Sequence, residues 1–219
     1  MNMNFKLMQL YGYPVGIATI DKNMYDKKNI IETIENNFKK DKKRNKWDIF
    51  SDLHHVYNDE RNPNQQQVNW ETLFPLYKIA FNNYFKHIFK SVDIEYDMQI
   101  ANYTCMEKSN YMGEHIHYSS FSAIHYIQFD EENHSPTCFI NPYSHGDYFG
   151  MIFHKNINSL LDKRNILSSW AFNKWHLGMK EDELVITPGI MKHRVDPQKS
   201  KNKNRITVVI NANILNPSS

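Results

Sequence analysis

Two histidines separated by one residue, His115-Ile116-His117, are the first place in this sequence where chemistry can be read. In an extended strand, residues i and i+2 project from the same face, so both imidazoles would point one way. A metal would then gain two nitrogens from one rigid segment. A surface strand with two ordinary histidines is the competing reading, since the chain holds 11 histidines in all. The adjacent pair His54-His55 would face opposite ways in a strand and lies in a polar, loop-like stretch, so it is set aside. A third imidazole, His193, ends the run Glu183-Leu-Val-Ile-Thr-Pro-Gly-Ile-Met-Lys-His193: an apolar strand, a Pro-Gly turn, then the histidine. Swung back by the turn, it would complete a three-ligand metal site.

Arg205 opens a further strand, Arg-Ile-Thr-Val-Val-Ile-Asn. Alternation puts Arg205, Thr207, Val209 and Asn211 on one face and Ile206, Val208 and Ile210 on the other. A guanidinium fork with a hydroxyl beside it suits a carboxylate. A surface ion pair would explain an isolated arginine, but one heading an apolar strand needs an anionic partner inside.

These residues need elements to hold them. Leu7 to Ile20 reads as two short strands around a turn at Gly12 and Pro14. From Lys27 to Lys40, Ile30, Ile31, Ile34 and Phe38 recur at helical spacing. Residues 40–68 look like loop, with Trp47, Ile49 and Phe50 tacking part of it to the core. A second helix is expected over Asn69 to Lys90, capped by Asn69, with Leu73, Leu76, Ala80, Tyr84 and Ile88 inward and Pro75 in its early turns. After Ser91 short β runs take over: Gln99–Cys105, His115–His117, Ser122–Phe129, Thr137–Ile140, Glu183–Ile186 and Arg205–Ile214. Helices followed by many short strands predict an α+β chain whose C-terminal half is a sandwich or barrel.

The 219 residues suit one domain, with 1–92 as an N-terminal strand and helical flank and 93–215 as the β core. An aromatic insertion over about 143–180 carries Tyr143, His145, Tyr148, Phe149, Trp170, Phe172, Trp175 and His176 and is expected at the barrel mouth. There it either selects substrate or is simply a long loop packed by its own aromatics, the second reading slightly favoured. A net charge of +2 without a dominant basic block disfavours nucleic acid. Two cysteines, Cys105 and Cys138, are too few for a disulfide scaffold and are expected to be buried and inert. No run is long enough to span a bilayer, and the expected compartment is the cytoplasm, that of the host if the chain is viral.

The order of these motifs resembles the 2-oxoglutarate/Fe(II)-dependent oxygenase superfamily, near its prolyl-hydroxylase-like group and the small HxH-bearing oxygenases of bacteria and tailed phages. Leu10-Tyr-Gly-Tyr-Pro-Val15, Ala101-Asn102 with Met112-Gly-Glu-His-Ile-His117, Ser122-Ala-Ile-His-Tyr126-Ile, and Glu183 to Asn211 carry the likeness. It implies a double-stranded β-helix (a jelly roll) with the N-terminal helices packed on it. It implies Fe(II) held by His115, His117 and His193, and 2-oxoglutarate held by Arg205 with help from Thr207 and the Tyr126 phenol. Asn102 would line the same cavity. The expected partner is a small-molecule or peptidyl substrate, hydroxylated with release of succinate and carbon dioxide.

One departure stands out. His117 occupies the place where most of the superfamily has Asp or Glu, whereas two histidines and a carboxylate are the usual iron signature. Glu114 should face away from the pair. Two alternatives therefore stay open from the residues alone: a three-histidine cupin-like metal enzyme that does not use 2-oxoglutarate, and a non-catalytic barrel acting as a binding or virion-associated module.

Overall fold

The chain enters its fold through a hairpin. Strands β1 (Phe5–Leu10) and β2 (Tyr13–Thr19) are joined by Tyr11 and Gly12, both at positive φ (54° and 83°). A two-residue loop with both residues left-handed matches the twist of the strands it connects. The structure, a computed structural model, describes residues 3–41, 50–59, 63–89, 94–143, 162, 165–199 and 203–215. Trp47, Ile49, His145, Tyr148 and Phe149 lie outside them.

Helix α1 (Lys27–Lys40) spans the residues its periodicity predicts, and Asp26 caps it by accepting from the Asn29 backbone N–H. The stretch read as loop departs from expectation. It contains strand β3 (His54–Tyr57), while Phe50 is exposed and takes no part in the core. Helix α2 (Phe74–Ile88) begins later than Asn69. Pro75 fits only the first turn, where its missing N–H is not needed, and Asn69 instead accepts from Glu71 N in a local turn.

Eight strands follow: β4 (Tyr96–Met106), β5 (Met112–His115), β6 (Phe121–Gln128), β7 (Thr137–Ile140), β8 (Lys174–His176), β9 (Glu183–Pro188), β10 (His193–Val195) and β11 (Arg205–Ile214). Strands β8 and β10 are three residues each, too short for alternation to reveal. A short 3-10 turn, Ile166–Ala171, precedes β8.

All pairings are antiparallel, in a seven-stranded sheet ordered β1-β2-β9-β6-β11-β4-β3 and a four-stranded sheet ordered β5-β10-β7-β8. From β4 onward the chain passes back and forth between the two sheets, which is the double-stranded β-helix expected above. The larger sheet has a helix-facing side, where Ile206, Val208 and Ile210 pack with Ile34, Phe81 and Tyr84. Its other side meets the smaller sheet through Ile124, Tyr126, Val185, Phe139 and Trp175. Fully burying each such side chain contributes roughly 1.5–3 kcal/mol. The helices thus brace one face of the sheet, and the site forms on the other.

Candidate metal centre

His115 is the last residue of β5 and lies directly across from His193, the first residue of β10. Their ring centroids are 4.2 Å apart. His117 was expected within the same strand but falls two residues beyond its end. Its position is set by its backbone N–H, which donates to the Gly189 carbonyl at 2.9 Å. This close approach explains the Pro188-Gly189 turn: a Cβ at position 189 would run into the Ser119 and His117 carbonyls. Only glycine lets the turn lie against the HxH segment.

The three histidines each bring one nitrogen into a group within 4.8 Å of one another, and His117 Nε2 lies 3.2 Å from His193 Nε2. Metal ligands bound at about 2.0–2.1 Å sit roughly 2.9–3.4 Å apart, depending on the coordination angle. The observed separation falls in that range.

The outer nitrogens fix the tautomers. His115 Nδ1 lies 2.8 Å from the Gly113 carbonyl, and His193 Nδ1 lies 2.8 Å from the Met191 carbonyl. A carbonyl only accepts, so both Nδ1 atoms carry the proton and both Nε2 atoms present lone pairs. Such carbonyl partners are the usual supports of metal-bound histidine. Burial first, then the neighbouring His115 and His55, holds the His117 pKa down at about 3. Burial and the other two rings push His193 well below its ordinary value. Both imidazoles are therefore neutral at neutral pH.

The same cavity is bordered by Arg205, Thr207, Thr104, Thr137, Asn102 and His55, with Ile124, Val209 and Met112 as apolar walls. Arg205 is 1% exposed. Its Nη2 donates to Thr137 Oγ1 at 3.3 Å, and its Nη1 reaches Thr207 Oγ1 at 3.4 Å and Met106 Sδ at 3.8 Å. Its Nε is buried with no hydrogen-bond partner, and no carboxylate pairs with it among the described residues. Burial lowers its pKa, opposed by Tyr126, yet a guanidinium stays cationic at neutral pH. Asn102 Oδ1 is likewise buried and unpartnered.

His115, His117, His193, Arg205, Thr207 and Asn102, all singled out from sequence, thus border one cavity. Tyr126 stands behind it. Its ring lies 5.2 Å from the guanidinium carbon, and its hydroxyl donates to Thr137 Oγ1 at 2.7 Å. The phenol thus joins Arg205 to Thr137, a residue that lines the cavity. Glu114 does face away, 3.8 Å from Arg194.

His55, set aside in the sequence, is 2% exposed and lines the cavity because β3 pairs with β4, His55 opposite Thr104. His176, expected at the mouth, is on the outer face of the smaller sheet. Register shows this: His193, Phe139 and Trp175 face inward, so their neighbours Arg194, Cys138 and His176 face out.

Residues 102–211 match the family model described as "Putative 2OG-Fe(II) oxygenase". No curated protein sequence matches the chain. Among solved structures, a 2OG-Fe(II) oxygenase-family oxidoreductase from Burkholderia pseudomallei is 12% identical, with 91% of this chain and 84% of that chain covered and a TM-score of 0.50. A Pseudomonas putida prolyl-4-hydroxylase is 8% identical, with 98% and 94% covered and a TM-score of 0.52. A prolyl hydroxylase from Trichoplax adhaerens, solved with a hypoxia inducible factor peptide fragment, is 7% identical, with 95% and 82% covered and a TM-score of 0.50. At these identities the structural likeness speaks for the fold.

Proposed function

Because the chain belongs to the 2OG-Fe(II) oxygenase family, whose model covers half of it, we propose that His115, His117 and His193 hold the iron and that Arg205 receives the distal carboxylate of 2-oxoglutarate. The observation that carries this reading is Arg205, a fully buried guanidinium without a carboxylate partner among the described residues, bordering the same cavity as three inward-facing imidazoles. A buried charge left unpaired is costly, so the cavity is built for an anion.

The donor set fits the cofactors. Three neutral imidazoles suit a divalent first-row metal. They leave its full charge uncompensated, which a dianionic co-substrate offsets. When bound, Fe(II) and 2-oxoglutarate would activate dioxygen, the oxidant, one oxygen atom entering succinate as carbon dioxide leaves and the other the hydroxylated product.

The chain's own residues do the positioning. The Gly113 and Met191 carbonyls hold His115 and His193 in the ligating tautomer. Thr137 and Thr207 aim Arg205, and both hydroxyls border the space a carboxylate would fill. Thr104 Oγ1 lies 2.7 Å from Thr207 Oγ1 and extends that polar wall. Ile124, Val209, Met112 and Val195 exclude water from the rest.

Beside the histidine strands lies a second hollow of about 250 Å³, lined by Ile116, Ile140, Pro142, Ile190 and Met191 together with the polar Tyr13, Asn141 and Lys192. This mixed lining supports substrate entry from that side. The substrate is a small molecule or a peptidyl side chain, the second in keeping with the prolyl-4-hydroxylase neighbour.

The test is anaerobic reconstitution with Fe(II), addition of 2-oxoglutarate and oxygen, and assay of succinate. Succinate forms in wild type and falls by roughly 100-fold or more in His193→Ala, as expected for loss of a metal ligand. Undiminished succinate in His193→Ala rejects the assignment.

A further inference from the structure

The outer face of the smaller sheet carries a second group of ligating side chains. Strand pairing sets Cys138 directly opposite His176 on one side and opposite Arg194 on the other. Asp196 follows β10 immediately. One ligating atom each from Cys138, His176 and Asp196 falls within 4.8 Å of the other two. We propose that these three residues form a second metal site, distinct from the histidine cavity, for a borderline-soft divalent cation of the zinc type.

Distances and chemistry both favour a cation there. His176 Nε2 and Asp196 Oδ2 are 3.3 Å apart. That is long for a histidine–carboxylate hydrogen bond, which settles near 2.7–2.9 Å when charged. It matches the edge between two ligands bound tetrahedrally at about 2.0–2.1 Å. Arg194 Nη2 donates to Asp196 Oδ1 at 2.8 Å, which turns Oδ2 toward the imidazole. An outer partner that orients a ligating carboxylate is a regular part of metal sites.

Cys138 is fully buried, whereas the His176 and Asp196 side chains are 46% and 32% exposed. The sulfur thus forms the floor and the other two the rim, open to solvent for a fourth, water ligand. Burial and the nearby Asp196 push the thiol pKa up, against the pull of Lys174 and of Arg194, which also hydrogen-bonds the sulfur.

Thiolate with imidazole and carboxylate selects zinc-like ions over magnesium or calcium. The cation would tie edge strand β8 to β7 and β10, and so anchor the segment that leads into β8 to the strand headed by His193. Neither the iron assignment nor 2-oxoglutarate is needed for this site to exist.

Cobalt(II) added to the reduced, full-length protein is the test, because a thiolate ligand gives an intense near-ultraviolet charge-transfer band that an all-imidazole centre cannot. Wild type shows this band, saturating at one thiolate-bound cobalt per chain. Cys138→Ser abolishes it. His176→Ala, a change at an exposed rim position that spares the core, weakens cobalt binding at this band roughly 100-fold or more and keeps iron-dependent succinate formation. A wild-type protein that binds cobalt without a thiolate band overturns the proposal. So does a band that survives Cys138→Ser, or one that His176→Ala leaves at full affinity.

Discussion

Strand β11 has two faces that are equally buried and serve opposite ends. Toward the helices, Ile206, Val208 and Ile210 are 0% exposed among other apolar side chains. Toward the smaller sheet, Arg205 and Thr207 are 1% and 3% exposed but border the histidine cavity. Burial on the first face stabilises the fold. On the second it costs stability, because the guanidinium has given up water without gaining an anion. The difference teaches where function was placed. A single alternation separates the residues that hold the sheet together from those that await a ligand.

The largest expected effect breaks the polar face. In Arg205→Met, 2-oxoglutarate binding falls by about 150- to 5,000-fold, since removing one partner of a buried charge pair costs roughly 3–5 kcal/mol. The ligand-free protein nevertheless unfolds at a temperature equal to or higher than wild type, because an unpaired buried charge has been removed. Calorimetric titration and a thermal melt on the same variant check both halves. A large drop in midpoint would mean that Arg205 is a structural ion partner.

The next effect breaks the apolar face. Ile210→Ala lowers unfolding free energy by about 2–5 kcal/mol through lost burial and a residual cavity. The KM for 2-oxoglutarate stays at the wild-type value. Denaturant unfolding and initial-rate kinetics separate the two outcomes.

The smallest effect sharpens the contrast at a polar residue on the helix side. His125 is 0% exposed, its Nδ1 lies 2.9 Å from the Tyr77 hydroxyl, and burial, aided by Lys27, holds its pKa at about 3. The unfolded histidine titrates near 6.5. A folded pKa below the unfolded value means the unfolded state takes up more protons as pH falls. This stabilisation is therefore complete above about pH 6.5 and is lost as pH drops from there toward 3. In His125→Gln the fall of melting temperature across that window becomes shallower, and an unchanged slope would exclude His125 as its source.

The sequence made some of this legible and hid the rest for physical reasons. The alternation of β11, the helical period of α1 and the HxH spacing are local patterns, so periodicity alone places Arg205, Thr207, Ile34 and His115 on the correct faces. His55 was hidden because β3 has four residues inside a polar stretch, and only pairing with β4 directs its ring toward Thr104. Thr137 was hidden because its role comes from Tyr126 and Arg205, 11 and 68 residues away in sequence. The outward position of His176 was hidden because β8 is three residues long, too short for its inward and outward faces to be told apart without β7.

Convergence of the three imidazoles and Arg205 on one cavity is the claim on which the rest depends, and binding linkage measures it most directly. Anaerobic titrations would give 2-oxoglutarate affinity with and without Fe(II), and Fe(II) affinity with and without 2-oxoglutarate. Convergence predicts that each ligand tightens the other by the same factor, at least about tenfold. Affinities that are unchanged by the second ligand would contradict it.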